Sequence, residues 1–593
     1  MSDTVRSGGL TSNDAFINNV VARYLLPSVL AMIGTRLSSL ANGLILGNAL
    51  GAAGLSVLSI VAPVTLTYLA LGSLLGVGAS VLSGFALGRG EREGCNRIYT
   101  LSYILSGTTG LLLAFAGLAA AGPIAAALGA AGEIFPLTRD FIRVAAVGGM
   151  FTVLMYTPLN YLRLCGKPNH AMGMLLIMSF LSIGFSAFFV LIFEARAAGV
   201  AIGSGLGALA AFIFGVYHLG GARSELAFRA WKFSAGDLRA LLALGSASAL
   251  NNLCRAWQYL FINLLLLRIA PASLPAYAVV CVAQETVLAL ILGFSQILLP
   301  LVSIAYGEKD GSCIRKITKK IFLSGSLLLG ASALILLLLH RKLGFWFGLP
   351  PGGAADELSV GLVFLALSLN LSFLNNIAAN YFNATKRPAL ANMIAAGRLL
   401  VFMVVPAYLL AARLGVIAVW LCLPAAEILT LAALALKLRS LRARDRDLSR
   451  FWLLDPAFAA GKNTIDFSVV NTNEAAVLAA ERVVDFCAAH DAPNQQSLCL
   501  SLALEEMLVL INEHALDRRQ EKFADVRVTV TARNLTLRIR CAGTRFDPLR
   551  YAETAAEGAP DDDGAVGVRM IRSLAASVEY RQVFGFNNLL IVI

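Results

Sequence analysis

Tyr161-Leu-Arg-Leu-Cys-Gly-Lys-Pro168 returns 220 positions further on as Tyr381-Phe-Asn-Ala-Thr-Lys-Arg-Pro388. Two more landmarks repeat at nearly the same offset: Gly88 with its charged loop as Gly307, and Gly199-Val200 as Gly415-Val416. Between them lie apolar stretches of the roughly 20 residues that cross a bilayer, near 20–46, 54–87, 98–122, 138–163, 171–193, 198–219, 238–268, 273–305, 319–340, 357–383, 389–411 and 414–437. A six-helix unit has been duplicated, with equivalent loops on the same side of the membrane. Parallel repeats of this kind build transporters that bind substrate between two halves and open to each side in turn. The expected fold is an α-helical polytopic membrane protein, twelve transmembrane helices in two six-helix repeats, followed by a soluble α+β domain.

Composition agrees. Of 593 residues 58% are apolar and 14% charged, with a mean hydropathy of +0.74, whereas a soluble globular chain carries about 25% charged residues. Residues 1–454 hold 34 Lys/Arg against 17 Asp/Glu, and the remainder 14 against 19, so a basic membrane part precedes a mildly acidic soluble part. Lys and Arg mark cytoplasmic loops. One set of loops carries Arg89, Arg92, Arg97, Arg163, Lys167, Arg223, Arg229, Lys232, Lys309, Arg315, Lys386 and Arg387 among others; the opposite set has only Arg196, Arg268, Arg341, Lys342 and Arg413. Both termini are therefore expected in the cytoplasm, in a bacterial cell membrane. The first 15 residues lack the pattern of a secretory signal. The expected division is a cytoplasmic N-terminus (1–19), a first repeat (20–220), a cytoplasmic linker (221–237), a second repeat (238–440), a basic linker (441–463) and the tail domain (464–593).

Nine scattered cysteines point away from a zinc site or a disulfide framework. The absence of a GxxxxGK[ST] loop argues against ATP-driven pumping. Topology and anionic membrane lipid account for the basic surface, so no nucleic acid is expected as a partner. Gly72, Gly76, Ser80, Gly84 and Gly88 form a small-residue stripe suited to close helix packing. Pro63 and Pro300 lie inside spans, as hinges or as packed kinks.

GLSVLSIVAPVTLTYLALGSLLGVGASVLSGFALGRGE (54–91), its counterpart GFSQILLPLVSIAYGEKD (293–310) and the paired YLRLCGKP and YFNATKRP loops resemble the multidrug and toxic compound extrusion (MATE) family over about residues 15–440. The resemblance implies an antiporter that exports organic, often cationic, compounds in exchange for Na⁺ or H⁺. Coupling needs a carboxylate within the membrane. Many relatives carry an Asp five residues before the glycine matching Gly47, but this chain has Asn42, which exchanges no proton. The remaining mid-span acids are Glu285 and Glu427, and the mid-span bases are Arg36, Arg255 and Arg398. Glu285 either titrates or binds Na⁺ during transport, with Arg255 as partner, or the two form a static buried pair. Glu427, nearer the basic end of its span, ranks below it.

After Arg450 the apolar runs stop, and 464–593 reads as a compact domain of ordinary size. Helices are expected near 473–490, 497–516 and 567–578, a hairpin in VRVTVTARNLTLRIRCAG (526–543) turning at Arg533-Asn534, and a closing strand pair over 578–593. ALEEMLVLINEHA (503–515), FDP (546–548) and DGAVGVRMIRSL (563–574) resemble, in order, three boxes of the ATP-binding domain of anti-sigma-factor serine kinases. That is a branch of the Bergerat-fold (GHKL) ATPases that includes histidine kinases. The resemblance places Glu506 as a candidate base, His514 eight residues on, Asp547 at the end of the second box, and Gly564 and Gly567 in the glycine-rich third, with Ala565 replacing a middle glycine. Two contacts depart from the family. Leu510 stands where an Asn would hold Mg²⁺, and Leu offers no oxygen to a hard cation. Cys541, two residues before Gly543, stands where an Asp would read adenine, and is a weak hydrogen-bond partner. Asn512 lies about 200° around the helix from Leu510.

The leading expectation is thus a secondary-active efflux antiporter, coupled to Na⁺ or H⁺, with a cytoplasmic regulatory tail that recruits a protein partner; Mg-ATP binding there is doubtful. Two alternatives remain, a lipid or lipid-linked oligosaccharide flippase, favoured by Arg36, Arg255 and Arg398, and a membrane sensor with a serine-kinase-like output.

Overall fold

A computed structural model describes the chain except for residues 1–9, 12–13, 90, 131, 221–225, 229–233, 271–272, 347–352, 446, 448, 450–451, 456–457, 459–462, 471, 516–522, 532–533, 559–561 and 584–585. Most of the expected linker 221–237 and the turn residue Arg533 fall outside the described residues. Helical geometry runs from Asp14 to Arg89 (α1), but this stretch contains two spans, Pro27–Leu50 and Ile60–Arg89. Residues eight apart in a straight helix are separated by about 12 Å. A Cβ added at Gly54 would nevertheless meet the Leu46 carbonyl oxygen at 2.6 Å, so the chain doubles back there.

The membrane part continues as α2 (Arg92–Ala127), α3 (Ile134–Leu164), α4 (Pro168–Ala187), α5 (Arg196–Leu219), α6 (Ala235–Ile269), α7 (Leu274–Gly307), α8 (Gly311–Trp346), α9 (Ala354–Ala384), α10 (Pro388–Ala396), α11 (Phe402–Leu414) and α12 (Ile417–Arg444). A π-helical turn, Phe188–Ile192, ends α4, and another, Gly397–Val401, joins α10 to α11 as one span. Among the described residues eleven helical segments are long and apolar enough to cross a membrane. The expected twelfth, α6, is as long as its neighbours but carries Asn251, Asn252, Arg255, Gln258 and Asn263 through its middle. Both Pro63 and Pro300 lie within helices that continue past them.

The duplication extends to backbone detail. The amides of Cys165, Gly166 and Lys167 donate to the carbonyls of Tyr161, Arg163 and Leu162, and those of Thr385, Lys386 and Arg387 to Tyr381, Asn383 and Phe382. Gly166 (φ +75°) and Lys386 (φ +59°) take the same left-handed turn, and each loop delivers a proline to the first turn of the next helix. The glycine stripe of α1 lies against Tyr156 of α3 at Gly72 and Gly76, and against α7 at Gly84 and Gly88. Gly88 meets Gly307, its own counterpart in the repeat: a Cβ on Gly88 would sit 2.7 Å from the Gly307 Cα.

The tail domain is a six-stranded antiparallel sheet in the order β1-β2-β3-β4-β6-β5. Its strands are β1 (Leu10–Thr11), β2 (Thr464–Val470), β3 (Phe523–Val530), β4 (Leu535–Ala542), β5 (Ser577–Val583) and β6 (Phe586–Val592). Alternation in β3 and β4 sends Val526, Val528, Leu537 and Ile539 into a core beneath α13 (Asn473–Ala488), α14 (Asn494–His514) and α16 (Asp563–Leu574). A helix that sequence periodicity did not suggest, α15 (Pro548–Gly558), precedes α16. The edge strand β1 comes from the N-terminus and pairs Leu10 with Val469, so the chain's beginning and its tail domain lie at the same end of the helical bundle.

Candidate functional site

Glu285 lies on α7 where the two repeats meet. Arg36 of α1 reaches its carboxylate at 2.7 Å and Arg255 of α6 at 3.4 Å, and the Tyr259 hydroxyl donates to it as well. Arg255 is buried, while the side chains of Arg36 and Glu285 keep 35% and 22% of their surface exposed. Arg36 belongs to the first repeat and Arg255 to the second. One carboxylate therefore bridges the halves, holding two guanidinium groups at a partly exposed site between them. Sequence reading paired Glu285 with Arg255; the Arg36 contact, 249 residues away, has no local signature.

Glu427 sits in a different setting, wholly within the second repeat. Arg398 donates to its Oε1 from Nη2 at 2.7 Å and Nε at 3.2 Å, and Asn375 Nδ2 donates to its Oε2 at 2.7 Å. Arg398 also donates to the Ser372 hydroxyl. The π-turn that carries Arg398 widens the helix locally and presents the guanidinium to α9 and α12. Arg398 and Glu427 are buried and bonded to each other, with only Arg398 Nη1 of this pair left without a partner among the described residues, the pattern of a structural brace. In the first repeat Asn42 Nδ2 donates to Ser182 Oγ at 3.2 Å, and Ser182 lies 3.3 Å from Ser204 Oγ. This cluster consists of an amide and hydroxyls, with the buried Asn42 Oδ1 lacking a partner among the described residues.

In the tail domain the three sequence boxes do converge. A Cβ on Gly564 would meet Leu510 Cδ1 at 2.7 Å, and one on Gly567 would meet Glu506 Oε2 at 2.6 Å, so α16 rests directly on α14. The side chains present do not fit Mg-ATP. Leu510 is buried in the core and presents methyl groups to the glycine box. Cys541 is buried, and its sulfur accepts a weak bond from Asn587 Nδ2 at 3.6 Å, while Asn587 is committed to Thr544, Phe546 and Tyr580. The amides at the start of α16, which would otherwise greet a phosphate, are already capped: Asp562 Oδ1 accepts from the Ala565 amide at 2.9 Å and the Tyr551 hydroxyl at 2.8 Å. Those bonds, the Ala565 amide foremost, hold the Asp562 carboxyl below its usual range. Asp547 likewise serves as a cap, accepting from Leu549 and Arg550. His514 stacks on Phe546 at 4.9 Å. Gly543 (φ +151°) occupies a backbone region essentially confined to glycine.

Sequence reading missed a densely charged cluster where the tail meets the bundle. Leu537 and Ile539 face the tail core, but Arg527, Arg538 and Arg540 project from the opposite face of the sheet onto the loop between α7 and α8. Asp310 in that loop, fully buried, receives Arg527 at 2.6 Å and Arg538 at 2.6 Å; Glu308 receives Arg538 at 3.1 Å and Arg540 at 3.3 Å. Asn588 donates to Glu308 at 3.1 Å, Arg527 also binds Asp466, and Arg540 binds Asp525 at 2.6 Å. Burial alone would push the Asp310 carboxyl up, but Arg538, Arg527 and Arg540 outweigh it and hold it far below the ordinary carboxylate range. For Asp525 burial prevails over Arg540 and Arg538, and its carboxyl is raised. The available signal was an outward row of arginines on two strands facing two acids in an otherwise basic loop. The linker adds an apolar seam: the Phe458 ring lies 4.8 Å from Tyr306, and Arg387 donates to the Leu453 carbonyl.

A bundle of two repeats with a charged cluster between them is the architecture of a multi-pass transporter, and the sheet beneath it is an ATPase-type domain. Comparison with known proteins identifies both parts. Residues 27–188 match the MatE family and residues 469–593 match the histidine kinase-like ATPase domain, so the chain joins a MATE-type transporter fold to a kinase-like ATPase domain. The multidrug export protein MepA of Staphylococcus aureus is 27% identical over 190 residues, 32% of this chain. That match spans 42% of the length of MepA. Among solved structures, an outward-facing multidrug resistance MATE family transporter of the MOP superfamily superimposes with a TM-score of 0.67 at 21% identity, covering 72% of this chain and 96% of that one. The Vibrio cholerae MATE transporter VcmN gives 0.67 at 18% identity, with 73% and 98% covered. A MOP superfamily transporter from Pyrococcus furiosus, whose reverse polarity of binding pocket suggests a different function, gives 0.64 at 21%, with 71% and 96% covered.

Proposed function

We propose that the protein is a secondary-active exporter of small organic compounds, driven by Na⁺ or H⁺, with a tail domain that regulates it without using nucleotide. The observation that carries this reading is the bridge from Glu285 to Arg36 and Arg255 across the two repeats. A proton or Na⁺ that binds the carboxylate neutralises it and weakens its hold on both guanidiniums, and two halves joined through it are then released to rock. The neutral cluster around Asn42 offers the first repeat no equivalent. Proteoliposomes under an imposed Na⁺ or pH gradient test the reading: efflux driven by one gradient is expected for the natural chain and lost in Glu285→Gln. Undiminished efflux in that variant would sink the coupling role.

Regulation follows from where the tail is held. The helix carrying Glu285 ends at Gly307, and the next residues, Glu308 and Asp310, are those gripped by the tail's arginines. A rigid helix of 22 residues carries a displacement over about 33 Å, so docking the tail constrains the coupling helix. Calorimetry of the full chain with Mg-ATP, beside a Leu510→Asn, Cys541→Asp double variant, tests the nucleotide-free reading; stoichiometric binding by the natural chain would overturn it. A second reading, export or flipping of an anionic, lipid-linked compound, is favoured by the two guanidiniums against one carboxylate between the repeats. Parallel assays with cationic and anionic dyes separate the two.

A further inference from the structure

Within the second repeat, between α8, α9 and α12, lies a cavity of about 580 Å³. The pocket is open on one side, and its volume falls in the range of roughly 300–1,000 Å³ typical of ligand sites. Its walls are apolar, formed by Phe322, Leu374, Ile377, Leu434, Leu438 and Trp452. Its rim is basic, with Arg315 and Lys319 on the first turns of α8. The cavity lies inside one half and not between the halves, so it is separate from the site at Glu285. It opens at the end of the bundle that carries the tail, four residues from Gly311, which packs on Phe458 of the linker.

We propose that this cavity binds an anionic glycerophospholipid, one acyl chain filling the apolar slot and the headgroup phosphate resting on Arg315 and Lys319. The slot and the rim each demand one half of such a molecule. An apolar slot in the bilayer is filled by an acyl chain through van der Waals contact, a guanidinium matches phosphate geometry, and residues that snorkel at the end of a span meet headgroups at that depth. A free phosphate ion would leave the slot empty, and a neutral lipid would leave the rim unmatched. The lipid would also bear on the tail. Trp452 forms part of the wall, its carbonyl accepts from the Tyr381 hydroxyl at 2.8 Å, and Leu453, Leu454 and Phe458 continue from it into the packed linker.

The test uses the full chain in phosphatidylcholine vesicles containing increasing fractions of phosphatidylglycerol brominated on its acyl chains. Trp452 emission, taken as the difference between the natural chain and Trp452→Phe, reports occupancy by quenching. Brominated phosphatidylglycerol is expected to quench it at a lower mole fraction than brominated phosphatidylcholine. Arg315→Gln and Lys319→Gln, both near the rim where folding is not at stake, should each raise the phosphatidylglycerol midpoint about fivefold, the factor for one cation near an anionic surface. Excess inorganic phosphate should leave the curve unmoved. Equal quenching by the two lipids, midpoints indifferent to both substitutions, or displacement by inorganic phosphate would each overturn the proposal.

Discussion

The two repeats share a backbone and divide the chemistry unequally. Their loops at 161–168 and 381–388 close with the same amide-to-carbonyl bonds, yet the polar cluster of the first repeat, Asn42 with Ser182 and Ser204, carries no charge, while the second supplies Glu285, Arg255, Arg398 and Glu427. Duplication copied a frame that is set by helix ends and glycine contacts, and left each copy free to choose its interior side chains. Within the second repeat the acids again differ. Glu285 is partly exposed and shared with the other half, whereas Glu427 is buried among partners from its own half. A residue that must change partners during a rocking cycle needs the first kind of environment; a brace needs the second.

That contrast can be broken in several ways. The largest effect is expected at Glu285, where Gln keeps the shape but cannot neutralise Arg36 and Arg255, and gradient-driven efflux should vanish while substrate binding remains measurable by equilibrium titration. Next, Glu427→Ala should act on stability: removing one partner of a buried pair costs about 3–5 kcal/mol, read as a lower thermal midpoint in detergent. If it instead leaves stability intact and uncouples transport, the brace and the coupling site have been assigned the wrong way round. Asp310→Ala should release the tail at a comparable cost, since Arg527, Arg538 and Arg540 lose their central counter-charge; faster proteolysis of the linker checks this. Asn42→Asp, placed in the Glu285→Gln background, should restore little or no gradient drive, because Arg36 and Arg255 bind Glu285 and not this site; full recovery would show the first repeat to be a competent coupling half.

The smallest effect expected is that of pH on docking. Asp310 is depressed when docked, so its contribution is fully present above the ordinary carboxylate value of about 3.9 and is lost only as pH falls through its lowered value. Asp525 is raised, so the docked state gains as pH falls through that raised value. Neither shift weakens docking between about pH 8 and 5, and linker proteolysis should be no faster at the acid end of that range. Undocking on mild acidification would mean that other groups control the contact.

Sequence was a good guide to what is periodic. Runs of about 20 apolar residues, an offset of 220 between loops and alternation in two strands are local patterns, and each appears in the structure as helices, a repeat and a sheet. The one expected span whose composition falls short among the described residues, α6, does so through Asn251, Asn252, Arg255 and Gln258, of which Arg255 meets Glu285. That Leu510 and Cys541 offer no oxygen was also legible, since residue identity is local and needs no tertiary structure. What no local pattern carries is which distant charges meet. Arg36 and Glu285 come from different repeats, and Arg527, Arg538 and Asp310 from different domains. A helix or strand is specified by residues a few positions apart, whereas these ion pairs depend on how whole bodies pack, and only the tertiary structure brings them within 3 Å of one another.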